Sequence, residues 1–520
     1  MSYVKRKEII VVILCLLIGF ALRFYTFDKK SLWLDEIYTF NDSRDDFKAQ
    51  INYFKDQPTN LHPPLFFILT HLFYPFEKPE RDLRIIPLIF GILSIPTIYL
   101  LARQFSPSIA LPCTLSLTLM TYHISLSQEG RSYTLIMFLG MVGLYFFVKH
   151  LNTLKRIYLP FAAFFLGLLF YISYSSISFI FFSQILWLYR TDKNDNKSRF
   201  SSFFMLNGSI LLVCLPWILF IAFNYKHQPL MDPYQEELIH SFWEVLYWML
   251  HDWTIHLPLM ILSAPFLALL PIWSKYKRNG LIFLGMIFLP LTTIYCLCYL
   301  LKINHFFSSR YFINFLPIFL ISLYLSILNL ESRIERLKRF VRPNLFFLAF
   351  FIMSNLAILP LYYQSEKMNL RGLANYLKGE LKEGDVLFDS VKSMGLTPGI
   401  LHYFGTYPKG RQYVYMISIF ANNEMEFSKS FTYQNKEFFI YHSGSCCNRY
   451  IQRRNRVWLL TDKLNAVKLK NTPGLIPKGF FDGSYMNDYK FPFDASIYLF
   501  LLDPKSPNEK GIDLPVVIVR

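Results

Sequence analysis

The chain has 520 residues, of which 53% are hydrophobic and 18% aromatic, and its formal net charge is +17. A soluble protein of this length would divide into several domains, each with its own core and a more polar surface. The charge argues against a nucleic-acid partner, because many Lys and Arg residues stand in short hydrophilic breaks between apolar stretches. The composition therefore predicts a multi-pass membrane protein.

Apolar runs of about 20 residues, the length that crosses a bilayer as a helix, recur along the first two thirds of the chain. Eleven runs qualify, with thirteen as the upper count, so the predicted fold class is a polytopic α-helical membrane protein. The predicted spans are 8–27, 84–103, 108–127, 132–149, 157–173, 175–190, 202–223, 257–274, 281–301, 310–330 and 342–362. The first run lacks a cleavage site and is interpreted as an uncleaved span, with a signal peptide as the alternative.

The basic residues predict the orientation of these spans. With the N-terminus inside, every inside segment carries Lys or Arg, whereas the outside segment 224–256 carries several acids instead. This parity also places the C-terminus outside. It requires that the apolar run after His62, up to residue 76, lies at the outer interface and does not cross.

The first outside loop, residues 28–83, holds the first candidate acids. Asp35 and Glu36 follow the first apolar run closely and stand among apolar residues. A carboxylate near hydrocarbon costs a few kcal/mol, so a chain that places acids at such a boundary usually uses them. The alternative is that the pair marks a solvent edge or caps a helix. In the same loop, His62 is a candidate base, metal ligand or plain interfacial histidine.

Glu129 and Arg131 return to the same face of the membrane, at the outside end of the third predicted span. Several charged groups at one boundary favour a functional site. A local Glu–Arg pair at a helix end, with little energetic weight, is the alternative.

The outside segment 302–311 is basic. It contains Lys302, His305 and Arg310 together with two serines, and such cations donate charge-assisted hydrogen bonds to phosphate oxygens. The segment therefore indicates a phosphate cradle. An ordinary basic loop that anchors a span is the alternative, and it is the stronger interpretation for Lys302.

The composition changes near residue 363, where the spans stop and polar residues rise. We expect a membrane domain over 1–362 and a soluble extracytoplasmic α/β domain over 363–520. The predicted elements of the second domain are a helix at 371–382 and strands at 385–389, 412–419, 437–441, 457–461 and 496–502. Cys446 and Cys447 are assigned no role, and no cysteine set has metal-ligand spacing.

Taken in order, these stretches resemble the membrane glycosyltransferases of the GT-C type. The resemblance is strongest to the bacterial branch similar to protein O-mannosyltransferases and to the lipid A aminoarabinose transferase. Each stretch is a weak signal alone, but the ordered set is fairly specific, and the departure at Gly130, where relatives often have alanine, changes little. The matching stretches are 32–36, 61–65, 84–91, 127–133 and 309–317.

This resemblance implies that a sugar moves from a polyprenyl-phosphate carrier, with inversion, to an acceptor glycolipid, glycan or protein on the outer side. A carboxylate base suits activation of the acceptor, and fixed cations suit the leaving phosphate. Asp35 is the implied base, and Glu36 either orients Asp35 or caps the loop helix. Glu129 is the implied second acid.

The resemblance also implies a binding set for the carrier phosphate. Arg310 is its principal member, helped by Arg131, Lys302 and His305. The set further includes His62, Tyr133 and Tyr311, with packing as the alternative for the two tyrosines. No cofactor and no metal site are predicted, although a divalent metal is compatible with the sequence.

Other function classes stay open. A lipid-linked sugar flippase or a polysaccharide polymerase would be expected to lack the acid pair in a long first loop together with a folded outer tail. A transporter would more often carry charges near the middle of its spans. A non-catalytic glycan- or lipid-binding scaffold would survive loss of Asp35.

The expected location is the bacterial cytoplasmic (inner) membrane, with lipids and no nucleic acid as partners. The sequence does not distinguish a hexose from a pentose.

Overall fold

The computed structural model describes most of the chain. The described residues are 6–56, 62–189, 196–224, 241–274, 277–301, 308–333, 342–389, 396–406, 427–442, 456–483, 495–505 and 511–515. Lys302, His305, the Cys446–Cys447 pair and the predicted strand 412–419 lie outside these residues.

The chain forms two compact units. The first unit comprises Met1–Phe27, Asp45–Glu77 and Arg81–Pro360, and the second comprises Asp28–Arg44, Lys78–Glu80 and Leu361–Arg520. Two pieces of the segment 28–83, the predicted first outside loop, therefore belong to the same unit as the C-terminal part of the chain.

The first unit is helical. Six helices in the described part are long and apolar enough to cross a membrane, or seven if one bent pair is counted as a span. The helical membrane fold is thereby confirmed, whereas a count of eleven spans stays a prediction. The helices are Arg6–Phe24, Phe47–Asp56, Leu65–His71, Pro79–Asp82, Ile85–Phe105, Pro107–Leu119, Thr121–Ser127, Tyr133–Thr153, Tyr158–Phe170, Ser176–Ser183, Gln184–Leu188 (3₁₀), Asn196–Asn224, Phe242–Thr254, Leu257–Ala268, Leu270–Trp273, Lys277–Leu301, Ser309–Phe315 (3₁₀), Leu316–Arg333 and Pro343–Gln364.

The predicted span 108–127 is broken. Pro107–Leu119 and Thr121–Ser127 meet at an angle of 59°, and Met120 between them has an extended backbone. The break does not fall at Pro112, which lies inside the first half. A break within an apolar span leaves backbone carbonyls and N–H groups that must find partners elsewhere in the protein.

Side chains of two other helices supply these partners. The fully buried Arg23 donates hydrogen bonds to the carbonyls of Leu117 (2.9 Å) and Thr118 (3.1 Å) at the end of the first half. The side-chain carbonyl of Asn355 accepts the N–H of Thr121 at 2.9 Å, at the start of the second half. The backbone groups on both sides of the break at Met120 thus have hydrogen-bond partners within the first unit.

The second unit is built on a mixed sheet of six strands in the order β2-β3-β1-β4-β6-β5. The central β1 is parallel to β3 and β4, and the other pairs are antiparallel. The strands are β1 (Val386–Asp389), β2 (Phe427–Tyr433), β3 (Lys436–His442), β4 (Val457–Thr461), β5 (Leu475–Phe481) and β6 (Ile497–Leu502). The helices are Leu34–Ser43, Leu370–Glu380, Thr397–Tyr403 and Lys463–Leu469.

One face of this sheet carries a hydrophobic core. Alternate residues of β1, β4 and β6 contribute to it, among them Phe388, Leu459 and Phe500. Helix Leu370–Glu380 begins at Asn369, whose side-chain oxygen accepts the N–H of Gly372 at 2.9 Å. The α/β class predicted for the C-terminal part is confirmed.

Candidate functional site

In the first unit, charged groups collect at the ends of apolar helices. Glu129 and Arg131 lie in the short connection between Thr121–Ser127 and Tyr133–Thr153, and both are at least nine-tenths buried. The connection turns sharply, since the N–H of Arg131 bonds the carbonyl of Glu129 at 2.6 Å. The turn therefore holds a buried acid, Glu129, and a buried cation, Arg131, close together in the chain at the start of a span.

His62 is joined to this connection. Nη2 of Arg131 lies 3.0 Å from Nε2 of His62. A guanidinium only donates hydrogen bonds, so Nε2 of His62 is the acceptor in this contact. Two residues that the sequence analysis assigned to phosphate binding are thus in direct contact.

Arg310 stands at the head of another span, in the 3₁₀ helix Ser309–Phe315. Its guanidinium carbon lies 5.9 Å from the ring centroid of Tyr133 and 5.8 Å from that of Tyr311. These distances are within the range of cation–π contact.

The charges around Tyr133 define one cluster. Arg310, Arg131 and Glu129 all act electrostatically on its buried phenol. The residues grouped around Tyr133, called the Arg310 cluster below, are His62, Glu129, Arg131, Tyr133, Arg310 and Tyr311. Direct contacts join His62 to Arg131 and Arg310 to the two tyrosine rings.

A chain of three hydroxyl and carboxylate groups adjoins Arg310, and the sequence analysis did not identify it. The Ser309 hydroxyl donates to the carboxylate of Asp252. Because that uses the single proton of Ser309, the Tyr122 hydroxyl at 2.8 Å is the donor to Ser309. Asp252 lies on helix Phe242–Thr254 between His251 and Trp253. In the sequence, Asp252 stood out only as one of several acids of the segment 224–256.

In the second unit, the adjacent acids Asp35 and Glu36 occupy different environments. Both lie in the first turn of helix Leu34–Ser43. Glu36 is 1% exposed, and its carboxylate accepts the N–H of Trp33 at 3.3 Å, which closes the start of the helix. Asp35 is half-buried, and its backbone carbonyl accepts the Thr39 hydroxyl at 3.1 Å.

Within the described residues, no group of three His, Cys, Asp or Glu side chains stands close enough to hold a metal ion. Of the predicted phosphate cradle, Arg310 is described, whereas Lys302 and His305 lie outside the described residues. Among the described residues, the groups suited to phosphate binding are the two arginines, His62 and the neighbouring hydroxyls.

Comparison with family models matches residues 61–220 to the family described as dolichyl-phosphate-mannose-protein mannosyltransferase. Comparison with curated proteins gives no match. Among solved structures, the chain is similar to ArnT from Cupriavidus metallidurans, which was determined in the apo state and bound to undecaprenyl phosphate. The identity is 11% and the TM-score 0.53, over 96% of this chain and 99% of ArnT.

Two further structures show lower similarity. For the arabinofuranosyltransferase AftD from Mycobacteria, the identity is 13% and the TM-score 0.46, over 96% of this chain and 42% of AftD. For the Archaeoglobus fulgidus oligosaccharyltransferase, determined with Zn and sulfate, the identity is 11% and the TM-score 0.39, over 72% of this chain and 60% of that one. The family match and the ArnT fold confirm the resemblance to GT-C membrane glycosyltransferases.

Proposed function

We propose that the protein is a membrane glycosyltransferase that moves a sugar from a polyprenyl-phosphate carrier to an acceptor, with inversion at the sugar. The observation that carries this proposal is the Arg310 cluster, in which two arginines and a buried acid lie around Tyr133 at the ends of apolar helices. The ArnT structure with undecaprenyl phosphate supports a lipid of this class as the carrier. The sugar would be a hexose or a pentose, and the acceptor a glycolipid, a glycan or a protein.

The leaving group in this reaction is a phosphate that gains negative charge as the sugar departs. Arg310 and Arg131 are cations suited to stabilise that charge, because Arg131 is buried and the half-buried Arg310 is held against the rings of Tyr133 and Tyr311. Tyr133 has a buried hydroxyl for which the described part of the chain provides no hydrogen-bond partner. That hydroxyl is suited to donate to a phosphate oxygen when the carrier is bound.

The acceptor must lose a proton as its oxygen attacks the sugar. Asp35 is the proposed base, and Glu36 supports it by closing the helix turn on which both acids stand. Glu129 is the proposed second acid, which would orient hydroxyl groups of the sugar or acceptor. We place the reaction at the outer face of a bacterial inner membrane, with the N-terminus inside and residues 363–520 outside, because the predicted inside segments are basic.

The test is sugar transfer by the full-length protein in purified membranes, using a panel of radiolabelled polyprenyl-phosphate sugars. We expect one donor to be consumed by the parent, and Asp35→Asn at matched expression to be slower by about 10²- to 10⁴-fold. Asp46→Asn is the matched control, because Asp46 is exposed and caps the neighbouring helix through the N–H of Ala49. Equal use of a donor by the parent and Asp35→Asn would refute the role of Asp35.

A further inference from the structure

The backbone that leads into helix Leu34–Ser43 is held by a tyrosine about 370 residues away in the sequence. The hydroxyl of Tyr403 accepts the N–H of Leu32 at 2.7 Å and donates to the carboxylate of Glu80 at 3.0 Å. The Ser31 hydroxyl also lies 3.2 Å from it. Leu32 is fully buried, so its N–H depends on this partner.

Further residues of the C-terminal part surround the same backbone. Glu366 accepts the N–H of Ser31 at 3.1 Å, and the N–H of Arg371 bonds the Ser31 hydroxyl at 3.1 Å. The guanidinium of Arg371 lies 3.4 Å from Glu80, the acid that accepts from Tyr403. Several contacts of different kinds therefore converge on two residues of the first loop.

The helix itself is contacted at both ends. The ammonium group of Lys367 lies 3.4 Å above the ring of Trp33, the residue at the start of the helix. Near the other end, the ring of His402 meets that of Phe40 edge-on, with centroids 4.6 Å apart. His402 and Tyr403 are consecutive residues, so one turn of helix Thr397–Tyr403 fixes both the entry and the far end of Leu34–Ser43.

We propose that Tyr403 is a positioning residue for Asp35, through its hydrogen bonds to Leu32 and Glu80. This inference rests on the proposed role of Asp35 as the base. Asp35 stands three residues after Leu32, in the first turn of the helix whose entry Tyr403 fixes. Without the tyrosine hydroxyl, the buried N–H of Leu32 must move to find another acceptor, and the first turn moves with it. A misplacement of about 1 Å at a reacting group can cost about 10²-fold in rate.

The experiment compares Tyr403→Phe with the parent in the full-length protein, reconstituted in lipid vesicles with the polyprenyl-phosphate sugar that the parent consumes in the donor panel. We expect kcat to fall by about 10- to 100-fold with little change in KM for the carrier lipid, because the change affects the acceptor base and not the lipid phosphate site. Amide hydrogen exchange over residues 31–43 is expected to rise. Tyr376→Phe is the matched control, since that ring packs against Trp458 and Phe481 instead.

Glu80→Gln provides a second, milder variant. It keeps an acceptor for the Tyr403 hydroxyl but removes the ion pair with Arg371, so we expect the same two effects at smaller size. Both readouts can be measured even if Tyr403→Phe folds poorly.

The outcomes separate this inference from the proposed function. Raised exchange over 31–43 with a lower kcat supports the positioning role. If Tyr403→Phe leaves exchange over 31–43 unchanged, or raises exchange without lowering kcat, the positioning role is overturned. In that case the proposed function still stands, provided that Asp35→Asn is inactive. A fully active Asp35→Asn overturns the proposed role of the acid and the positioning role with it.

Discussion

At the scale of single residues, the hydrogen bonds around Arg310 bear most directly on substrate binding. Ser309 precedes it and is fixed on both sides, by the Tyr122 hydroxyl and the Asp252 carboxylate. These partners come from two other helices, so the start of the Ser309–Arg333 span has little freedom to shift. The position of the Arg310 guanidinium depends on that start.

We therefore expect Ser309→Ala to weaken binding of the carrier lipid. Loss of the hydroxyl removes two hydrogen bonds and leaves Asp252 without one of its donors, at a cost of about 1–2 kcal/mol, or about tenfold in KM. The measurement is KM for the polyprenyl-phosphate sugar at saturating acceptor. Ser332→Ala, exposed at the far end of the same span, is the control. An unchanged KM for Ser309→Ala would show that the hydrogen bonds of Ser309 to Tyr122 and Asp252 do not position Arg310.

Arg23, which bonds the carbonyls at the break between Pro107–Leu119 and Thr121–Ser127, is the residue that we expect to matter most for the stability of the folded protein. Arg23→Met keeps an unbranched aliphatic stem but removes the donors to the buried carbonyls of Leu117 and Thr118. We expect the free energy of unfolding in detergent to fall by about 3 kcal/mol, the cost of leaving buried acceptors unsatisfied. Lys7→Met, at an exposed position of the same helix, should change little. Equal stability of Arg23→Met and the parent would mean that the break has other partners.

Sequence reasoning reached charged residues at the ends of spans, because an acid or base near hydrocarbon is conspicuous in a sequence. Glu129, Arg131 and Arg310 were identified in this way, and the structure brings them together. It did not identify Tyr122, nor the hydrogen bonds made by Ser309, one of the two serines of the predicted phosphate cradle. Hydroxyl residues are common in membrane helices, and these two matter here only through their partners.

At the scale of elements, one close helix contact supports the connection that carries Glu129. A Cβ added at Gly91 would lie 2.7 Å from the Cβ of Ser127, too close for an undistorted backbone. Glycine therefore allows helix Ile85–Phe105 to approach the end of Thr121–Ser127, two residues before Glu129.

Gly91→Ala is expected to lower the free energy of unfolding by about 1–3 kcal/mol, the usual cost of overpacking, and to reduce sugar transfer. Gly208→Ala is a control within another span, because no atom lies within 4 Å of its added Cβ. Stability and transfer are measured on both variants in the same detergent and lipid. If Gly91→Ala and Gly208→Ala have the same stability and the same rate of sugar transfer, the close approach of the two helices at Gly91 is not needed for either.

Helix Thr397–Tyr403 gives a prediction for pH. Burial, and secondarily the positive charge of Arg44, lower the pKa of His402 from its ordinary value of 6.5 to about 4. The folded state thus keeps the imidazole neutral where the unfolded state binds a proton. Stability is fully present above pH 6.5, falls as the pH decreases toward 4, and levels off below that, with a total loss of up to about 3 kcal/mol.

Local hydrogen exchange over 397–406, corrected for intrinsic rates, measures this effect at pH 7 and pH 5. His402→Phe keeps the ring contact with Phe40 and has no titratable group, so its local stability should change less between the two pH values. If the parent and His402→Phe show the same pH dependence of local stability, that dependence comes from a group other than His402.

Elements were predicted with uneven success, for identifiable reasons. Strands at β1, β3, β4 and β6 follow from compact runs of apolar and β-branched residues. Strand β5 was missed because Pro477 and Gly479 interrupt its pattern, and the structure has a register irregularity between them. The break at Met120 was missed because it depends on Arg23 and Asn355, which lie far away in the sequence.

At the scale of the whole molecule, periodicity and composition predicted a helical membrane part and a sheet-containing C-terminal part. They did not predict that Asp28–Arg44 and Lys78–Glu80 belong to the second unit. That grouping rests on contacts such as Tyr403 with Leu32, which join residues about 370 positions apart. No local sequence pattern reports such a pairing.

The central claim is that this protein breaks the bond between a sugar and a polyprenyl phosphate. The most direct measurement follows release of free polyprenyl phosphate from the donor panel by the purified protein in vesicles. We predict release coupled to sugar transfer by the parent, and a rate about 10²- to 10³-fold lower for Arg310→Gln, which removes a cation from the leaving phosphate. Movement of intact carrier between leaflets with no release of polyprenyl phosphate would contradict the claim and identify a flippase.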